Sequence, residues 1–361
     1  MSEVTQLRYR GEIADLYKIW LKNLFLQIVT LGIYRFWAKT NMRRYIWSAF
    51  SFDHESFEYT GTGGELFKGF LKAMVFFFVP VLALQMSILI WPQAAVLAFI
   101  FVPFLLVLWG MAIFGAFQYR LSRTNWRGIR GGLQGSAWAY GLRWAVGTIF
   151  IPASLLLALP FITRYRARYI IDSASFGNWQ ASLDPQTRAC ALRFYIPLLI
   201  NSVVLLAIAG AIYYLVLDVY AEEYAAFLEL LAGQDQRALD LAIVAVALTY
   251  VVVLSMFGMV AIIYLSAFTK EVVNHTRIGN MRLHMEFNFW DYFKYTVLYS
   301  LLQGLSLGLV GPLVLHWRCR LLAERLSVRG RGDLSSLLQS QVEKPTSGEG
   351  LLEAMDVDLA F

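Results

Sequence analysis

Seven apolar segments alternate with polar, mostly basic stretches along this chain. They lie at about residues 16–37, 70–91, 94–118, 138–162, 192–217, 240–268 and 292–317. A helix needs about 20 apolar residues, each adding 1.5 Å, to cross a hydrocarbon layer of about 30 Å. Segments such as 70–91 and 240–268 meet this requirement. The pattern therefore predicts a polytopic α-helical membrane protein.

The charges between the segments conflict with seven full crossings. Residues 119–137 hold four arginines and residues 163–170 hold three, yet one crossing at 138–162 would place them on opposite sides. Basic loops stay in the cytoplasm, whereas the acidic stretch 218–240, with a single arginine, is expected outside. The chain is then predicted to cross fully four times, as two hairpins, at 70–91, 94–118, 192–217 and 240–268.

The other three segments share a pattern that recurs at fixed spacing. A shift of 124 residues places Arg168 under Arg44, and a shift of 276 places Arg320 there. The second shift also places residues 307–308 under residues 31–32, a Leu-Gly pair in both cases. Such ungapped agreement indicates one unit used three times.

Each of these units combines an apolar helix, a break and a second helix that becomes basic. The apolar arm before each break has only about 12 to 16 residues, too few for a crossing. We predict broken helices that dip into the membrane and return to the cytoplasmic side. Glycine adopts unusual backbone angles and proline lacks a backbone donor, so both interrupt helices. The predicted breaks are at Gly32, Pro160, Gly308, Gly311 and Pro312. The alternative is a seven-helix protein with kinks.

Four stretches between the helices alternate polar and apolar residues around glycine turns, which predicts small β-hairpins on the cytoplasmic face. They are residues 51–63, 124–136, 175–184 and 276–288. The predicted fold class is an all-α polytopic membrane protein carrying these hairpins. Its predicted parts are repeat unit 1 at residues 1–118, repeat unit 2 at 119–268, repeat unit 3 at 269–331 and an acidic flexible tail at 332–361.

Composition supports the membrane assignment. The chain has 361 residues, of which 58% are hydrophobic and 16% charged, whereas soluble proteins carry about 25% charged residues. The formal net charge of +6 comes from the basic loops, and without an RNA- or DNA-binding module we expect no nucleic-acid partner. The N-terminus lacks the pattern of a cleaved signal peptide, and both termini are expected in the cytoplasm.

Several stretches carry a family resemblance. They are TLGIYRFWAK with the following MRRY, then FEYTGTGGELFKGF, NHTRIGNMR and GEGLLEAMDVDLAF. With these, the chain resembles the YjgN-type family of bacterial inner-membrane proteins over nearly its whole length. Phe36 stands where that family usually has proline, and the second unit has lost most of the TLG sequence motif. The resemblance implies a location in the bacterial inner membrane and brings no substrate or catalytic residues.

Motifs that would indicate an enzyme are missing from the sequence. It contains no HExxH, no Cys-x-x-Cys, no Gly-x-Ser-x-Gly and no phosphate-binding glycine loop. We therefore expect no catalytic residues, no metal and no cofactor. Cys319 lies between two arginines, which would lower its pKa, but a buried, unreactive thiol is the simpler interpretation.

Polar residues inside the broken units suggest a pocket. Ionisable groups at membrane depth are unfavourable unless they reach the interface or line a cavity, so they are candidate functional groups. The predicted pocket residues are Lys18, Lys22, Asn23, Gln27, Arg143 and Lys294. Broken helices that meet in the membrane form the binding sites of many carriers. This favours a non-enzymatic transporter- or channel-like protein for a small solute, although these side chains would equally well extend to the interface.

Arginines near aromatic residues mark the basic helices. The predicted contacts to anionic lipid headgroups are Arg43, Arg44, Arg164, Arg166, Arg168, Arg318 and Arg320. Such clusters bind anionic lipids or simply fix the topology. The alternative function is therefore an anionic-lipid-binding or membrane scaffold protein, in which the acidic tail recruits a protein partner. For residues 351–359 of that tail, a solvated segment is favoured over a short partner-binding helix.

Overall fold

The computed structural model describes residues 4–184, 188–215, 220–233, 236–330 and 337–345. Its helices are α1 (Ile13–Val29), α2 (Arg35–Ala49), α3 (Gly63–Ala73), α4 (Val79–Ile90), α5 (Ala98–Arg123), α6 (Ala137–Ala153), α7 (Leu159–Ser173), α8 (Arg188–Tyr214), α9 (Ala221–Ala232), α10 (Gln236–Asn274), α11 (Phe289–Phe293), α12 (Tyr299–Leu305) and α13 (Gly311–Arg325). Short π or 3₁₀ segments lie at Met74–Phe78, Pro92–Leu97 and Lys294–Leu298.

The strands form one sheet, which corrects the predicted all-α class. They are β1 (Val4–Gln6), β2 (Arg8–Tyr9), β3 (Phe50–Phe52), β4 (Glu55–Tyr59), β5 (Thr124–Trp126), β6 (Ile129–Leu133), β7 (Ala174–Phe176), β8 (Trp179–Leu183), β9 (Thr276–Ile278), β10 (Met281–Met285) and β11 (Leu326–Arg329). Within the described residues, eleven strands pair in the order β1-β11-β10-β9-β8-β7-β6-β5-β4-β3-β2. The four predicted hairpins are all present, but they join edge to edge instead of standing alone.

The sheet nearly closes on itself. All neighbouring strands are antiparallel, and the two outermost strands, β1 and β2, follow one another in the chain with only Leu7 between them. β1 pairs with β11, whereas β2 pairs with β3. Closure of this kind removes most of the unpaired strand edge that an open sheet would leave.

Helical insertions and short turns alternate between the strands. A tight turn such as Asp53-His54, with φ of 47° and 67°, joins neighbouring strands at one end of the strands. At the opposite end of the strands, a backbone hydrogen bond joins the two residues that flank each helical insertion. These bonds run from N–H to C=O as Arg10 to Ala49 (2.9 Å), Thr60 to Arg123 (2.8 Å), Gln134 to Ser173 (2.8 Å), Asp184 to His275 (3.1 Å) and Glu286 to Arg325 (3.0 Å). Every helical insertion therefore starts and finishes at the same end of the strands.

Four helical stretches in the described part of the chain are long and apolar enough to cross a membrane. They are Gly63–Ile90, Pro92–Arg123, Ala191–Tyr214 and Gln236–Asn274. These four candidate membrane-spanning helices lie at about the positions of the four predicted spans. Their side chains are mostly exposed, as expected of helices whose neighbours are lipid rather than protein.

The chain packs as two units. The first comprises residues 1–186, 272–287 and 294–361, and contains the sheet together with a core that includes Phe114, Leu133 and Tyr140. The second comprises residues 187–271 and 288–293. Within the second unit, the rings of Phe194 and Tyr264 pack edge to face at 5.2 Å. Helix α9 lies within the stretch that was expected to be the acidic external loop.

Part of the C-terminal segment lies on the sheet. Of the predicted flexible tail, the structure describes residues 337–345. The backbone N–H of Leu338 donates to Asn178 Oδ1 (3.1 Å), and Arg130 Nη2 donates to the carbonyl oxygen of Ser340 (3.0 Å). Leu337 and Ser340 are buried. The partner-binding helix suggested at residues 351–359 lies outside the described residues.

Candidate functional site

Three short helical hairpins have the same backbone geometry at their tips. Hairpin 1 is α1–α2, hairpin 2 is α6–α7, and hairpin 3 is residues 294–325. Each tip has two consecutive left-handed residues, namely Leu31–Gly32, Leu155–Leu156 and Leu307–Gly308. The N–H of the second residue donates to the carbonyl five positions earlier, as Gly32 to Gln27 (2.7 Å), Leu156 to Ile151 (2.9 Å) and Gly308 to Gln303 (2.9 Å). This is the Schellman arrangement, which satisfies carbonyls at a helix C-terminus.

A hydroxyl group links the two arms of each hairpin. Its oxygen accepts a hydrogen bond from the backbone N–H four residues later, in the residue that immediately precedes the second helix. The bonds are Tyr34 to Thr30 (2.9 Å), Ala158 to Ser154 (3.1 Å) and Val310 to Ser306 (3.3 Å). Our sequence analysis missed these residues. The signal was present, because Ser154 and Ser306 follow Thr30 by 124 and 276 residues.

A leucine projects from each hairpin tip. Leu31 is 94% exposed, Leu155 81% and Leu307 93%. Neighbouring tip residues such as Ile33 and Leu309 are also largely exposed. Isolated exposed leucines are common, but three protruding apolar tips of this kind are typical of surfaces that contact lipid or another apolar partner.

The predicted break residues fall into two groups. Gly32 and Gly308 occupy left-handed positions, with φ of 88° and 83°. Pro160 and Pro312 lie in the first turns of α7 and α13, after the breaks, and Gly311 is the first residue of α13. Proline suits the first turn because the N–H that it lacks has no partner there within the helix. The second break lies at residues 154–158 and not at Pro160.

The six predicted pocket residues make their described contacts within their own hairpins. Lys18 pairs with Asp15 (3.1 Å), and Lys22 and Lys294 are exposed. Gln27 is partly buried and supplies the carbonyl that accepts the tip hydrogen bond of hairpin 1. None of the contacts described for these six residues joins one hairpin to another.

Asn23 and Arg143 have the most specific contacts of that set. Buried Asn23 donates from Nδ2 to the carbonyl oxygen of Ala38 (3.2 Å) across hairpin 1. Arg143 Nε donates to the Tyr165 hydroxyl (2.7 Å), and its guanidinium lies 4.6 Å from the ring centre of Tyr169. Both side chains therefore hold the two arms of a hairpin together.

Three of the predicted lipid-contacting arginines point into the protein. Arg43 is buried, and its Nη1 donates to the Tyr59 hydroxyl (3.3 Å). Arg166 Nη2 donates to the carbonyl oxygen of Trp144 (2.7 Å) and to Thr148 Oγ1 (2.8 Å). In hairpin 3, Arg318 Nη2 donates to Ser300 Oγ (3.1 Å). Arg166 and Arg318 thus join the two arms of their hairpins, whereas Arg43 joins hairpin 1 to β4. Arg164 is also partly buried.

The remaining three arginines are exposed at equivalent positions. Arg44, Arg168 and Arg320 each follow the tip leucine of their hairpin by thirteen residues. Arg44 Nη2 donates to the carbonyl oxygen of Gly61 (2.9 Å). Arg168 pairs with Asp172 (3.0 Å) and Arg320 with Glu324 (2.8 Å), each one helical turn away. Exposed pairs of this kind are weak, so these guanidinium groups stay accessible to other anions.

The cysteine in α13 is buried among Ile46, Phe50 and Ala323. Burial raises the pKa of the Cys319 thiol to about 12, more than offsetting the opposing effect of Arg318. The thiol is thus protonated at neutral pH. Among the described residues, no three His, Cys, Asp or Glu side chains come together as metal ligands would.

Comparisons with known proteins agree with the family resemblance. Residues 4–354 match the family described as bacterial protein of unknown function DUF898. The chain is also 29% identical over 169 residues to the inner membrane protein YjgN of Salmonella typhimurium strain LT2. That alignment covers 46% of this chain and 38% of the relative, so it spans well under half of either protein. No solved structure matches.

Proposed function

Because this chain belongs to the DUF898 family of bacterial proteins of unknown function, we propose a function from the geometry of its hairpins. The protein is a non-enzymatic, multi-pass protein of the inner membrane that binds anionic lipid headgroups through three short hairpins. The sheet and both termini lie on the cytoplasmic side. The three hairpins are copies of one unit, each inserted from that side and returning to it.

The spacing of charged residues supports insertion to a depth of about one leaflet. Lys22 precedes Leu31 by nine residues, Arg164 follows Leu155 by nine, and Arg318 follows Leu307 by eleven. At 1.5 Å per residue these separations are roughly 13 to 17 Å, about half of a 30 Å hydrocarbon core. Two cations lie closer to a tip. The Arg35 guanidinium is covered by the Phe36 and Phe70 rings, 4.9 and 5.0 Å away, and Lys39, eight residues after Leu31, is partly buried.

The position of the exposed arginines carries the proposal. Each of them follows its tip leucine by thirteen residues, of which the first few form the turn and the rest belong to the second helix. From the first residue of that helix to the arginine the rise is roughly 14 Å. With the tip near the membrane centre, this places the guanidinium group at the boundary between the hydrocarbon layer and the headgroups. Guanidinium matches phosphate in shape and charge and binds it through two parallel hydrogen bonds. The hairpins thus present three equivalent phosphate-binding groups at one interface.

The transport hypothesis has less support from this geometry. It required the six polar residues to share a pocket, whereas Asn23 and Arg143 have hydrogen-bond partners within their own hairpins. A polar route through the membrane would leave such groups facing a common cavity. Lipid binding requires only the exposed arginines and the apolar tips, which are both present.

Lipid retention tests the proposal. We expect the triple variant Arg44→Gln, Arg168→Gln and Arg320→Gln to retain several-fold less phosphatidylglycerol and cardiolipin per protein after mild detergent extraction, measured by mass spectrometry of the bound lipids. The control carries Arg8→Gln, Arg282→Gln and Arg329→Gln, which remove the same charge from exposed positions on the strands. Equal losses in both variants, or none in either, would contradict a specific role for the hairpin arginines.

Cysteine accessibility tests the insertion depth separately. Leu31→Cys, Leu155→Cys and Leu307→Cys, in a background lacking both native cysteines, are expected to resist a membrane-impermeant thiol reagent added to either side. Glu223→Cys in α9, which is exposed, is the control expected to label from the periplasm. Periplasmic labelling at a tip would show that its hairpin crosses the membrane fully.

A further inference from the structure

The nearly closed sheet surrounds an apolar cavity of about 440 Å³. Side chains from most of the strands line it, and the largest contributions come from rings and a long thioether chain. These are Phe52, Phe57, Trp126, Phe176, Trp179 and Met281. At one end the lining continues into the last turns of helices α2 and α13, and at the other it reaches the short turns. The cavity is therefore elongated along the strands.

Polar atoms in the cavity wall already have partners in the protein. Trp126 Nε1 donates to the carbonyl oxygens of Phe52 (3.2 Å) and Glu55 (3.3 Å). Thr124 Oγ1 donates to the carbonyl oxygen of Arg120 and accepts from Trp47 Nε1, both at 2.9 Å. No Lys, Arg, His, Asp or Glu is among the lining residues of this cavity. A polar ligand or a cluster of waters would thus find few hydrogen-bond partners here.

We propose that this cavity binds one hydrocarbon chain of a lipid. Its volume falls within the range of about 300 to 1,000 Å³ that is usual for ligand pockets. An empty apolar cavity destabilises a protein in proportion to its volume, and apolar cavities remain dry and accept apolar guests. The chain belongs either to a free fatty acid or to a membrane phospholipid, since both present the same methylene groups to the wall.

This inference is independent of the proposed headgroup binding. None of Arg44, Arg168 and Arg320 lines the cavity. The cavity lies inside the sheet, whereas the guanidinium groups are exposed on the hairpins. The two proposals can therefore fail separately, and the glutamine variants of these arginines should leave occupancy of the cavity unchanged.

Photo-crosslinking with chain-labelled lipids tests the cavity directly. The full-length protein is placed in nanodiscs of phosphatidylcholine and phosphatidylglycerol that contain one of two probes. One probe is a sixteen-carbon fatty acid with a diazirine in its chain, and the other is phosphatidylcholine carrying that same acyl chain. After illumination, mass spectrometry should find cross-links in peptides from β7, β8 and β10, besides those in the spanning helices. The probe that labels the strands identifies the source of the chain.

A matched pair of variants assigns those cross-links to the cavity. Ala181 lines the cavity, and the next residue, Ser182, is exposed on the other face of β8. Ala181→Leu should reduce cross-linking to the strand peptides at least fivefold, whereas Ser182→Leu should not change it. Labelling of the spanning helices is the internal reference and should be equal in both variants.

A second cavity position guards against misfolding of the first variant. If Ala181→Leu lowers the melting temperature markedly, Ala174→Leu fills the cavity from β7 instead. The proposal is overturned if neither probe labels the strand peptides of the wild-type protein while the helices are labelled. It is equally overturned if a folded cavity-filling variant keeps the wild-type labelling of those peptides.

Discussion

Hairpins 1 and 2 have the same tip geometry but different residues at the second left-handed position. Gly32 has φ of 88° in hairpin 1, and Leu156 has φ of 69° in hairpin 2. A residue with a side chain is disfavoured in this region by about 1 to 2 kcal/mol, whereas glycine adopts it freely. Both residues nevertheless donate the same hydrogen bond across the tip. The hairpin therefore does not require glycine at its break, and other contacts hold hairpin 2 in shape.

The largest expected effect concerns one such contact. Hairpin 1 has Met42 at the position where hairpin 2 has Arg166, 124 residues later. Because Arg166 donates two short hydrogen bonds to the facing arm, we expect Arg166→Ala to destabilise the protein by roughly 2 to 3 kcal/mol. Thermal unfolding in nanodiscs measures this loss. Arg168→Ala, an exposed position one half-turn later, is the control and should change stability by less than about 0.5 kcal/mol.

Exchanging the tip residues tests the comparison itself. Gly32→Leu should destabilise hairpin 1 by about 1 to 2 kcal/mol, because it introduces the strain that Leu156 already carries. Leu156→Gly should give the opposite sign, up to about 1 kcal/mol, reduced by the greater freedom of glycine in the unfolded chain. Open space surrounds Gly32, so a leucine there meets no steric clash. Unchanged melting temperatures in both variants would show that the tips adapt by shifting their backbone.

Removing the hydroxyl at a break should have a smaller effect. Thr30→Ala, Ser154→Ala and Ser306→Ala each remove the hydrogen bond that the hydroxyl accepts and the one that it donates to a carbonyl oxygen of the first arm, a loss of about 1 kcal/mol. Thr30→Ser keeps the hydroxyl and is the matched control. Comparable losses at the three positions would support equivalent hairpins. A loss confined to one position would indicate that the shared geometry hides different energetics.

The smallest effect near neutral pH concerns the thiol in hairpin 3. Since burial raises the pKa of Cys319 from its ordinary value of 9.0 to about 12, the folded protein keeps this proton at a pH where the unfolded chain loses it. Its contribution to stability is present below pH 9 and is lost as the pH rises from 9 to 12. Alkylation by iodoacetamide between pH 7 and 9 should accordingly be much slower in the folded protein than in the unfolded chain, because little of the reactive thiolate is present. Rapid labelling over that range would show that the site opens.

Hydropathy was sufficient to locate the four long candidate membrane-spanning helices. Each contains an apolar window long enough to cross a membrane, a signal that is local and strong. The sheet was different. Its strands have at most five residues, and pairs such as β1 with β11 join residues more than 300 positions apart. Alternation within a short strand predicts a hairpin but contains no information on which distant strand will pair with its edge.

The sequence identified the candidate site only at positions where the residue type indicates the backbone conformation. Gly32 and Gly308 indicated two breaks because glycine is common at left-handed positions. The second break has leucines at those positions, and Pro160 suggested a location four residues too late. For a similar reason, the sequence did not show which contacts the predicted pocket residues make within their hairpins. Spacing along α1 gives the face that carries Asn23, but not that Ala38 of the same hairpin would accept its hydrogen bond.

The pairing of β1 with β11 also constrains the order of synthesis and assembly. Val4 leaves the ribosome before its partner Arg329, which is made 325 residues later. Each helical insertion can enter the bilayer as it leaves the ribosome, since both of its termini remain at the same end of the strands. Strand β1, however, cannot pair until β11 has been synthesised. A chain that terminates before Leu326 is therefore expected to leave an unpaired strand edge accessible to chaperones and proteases.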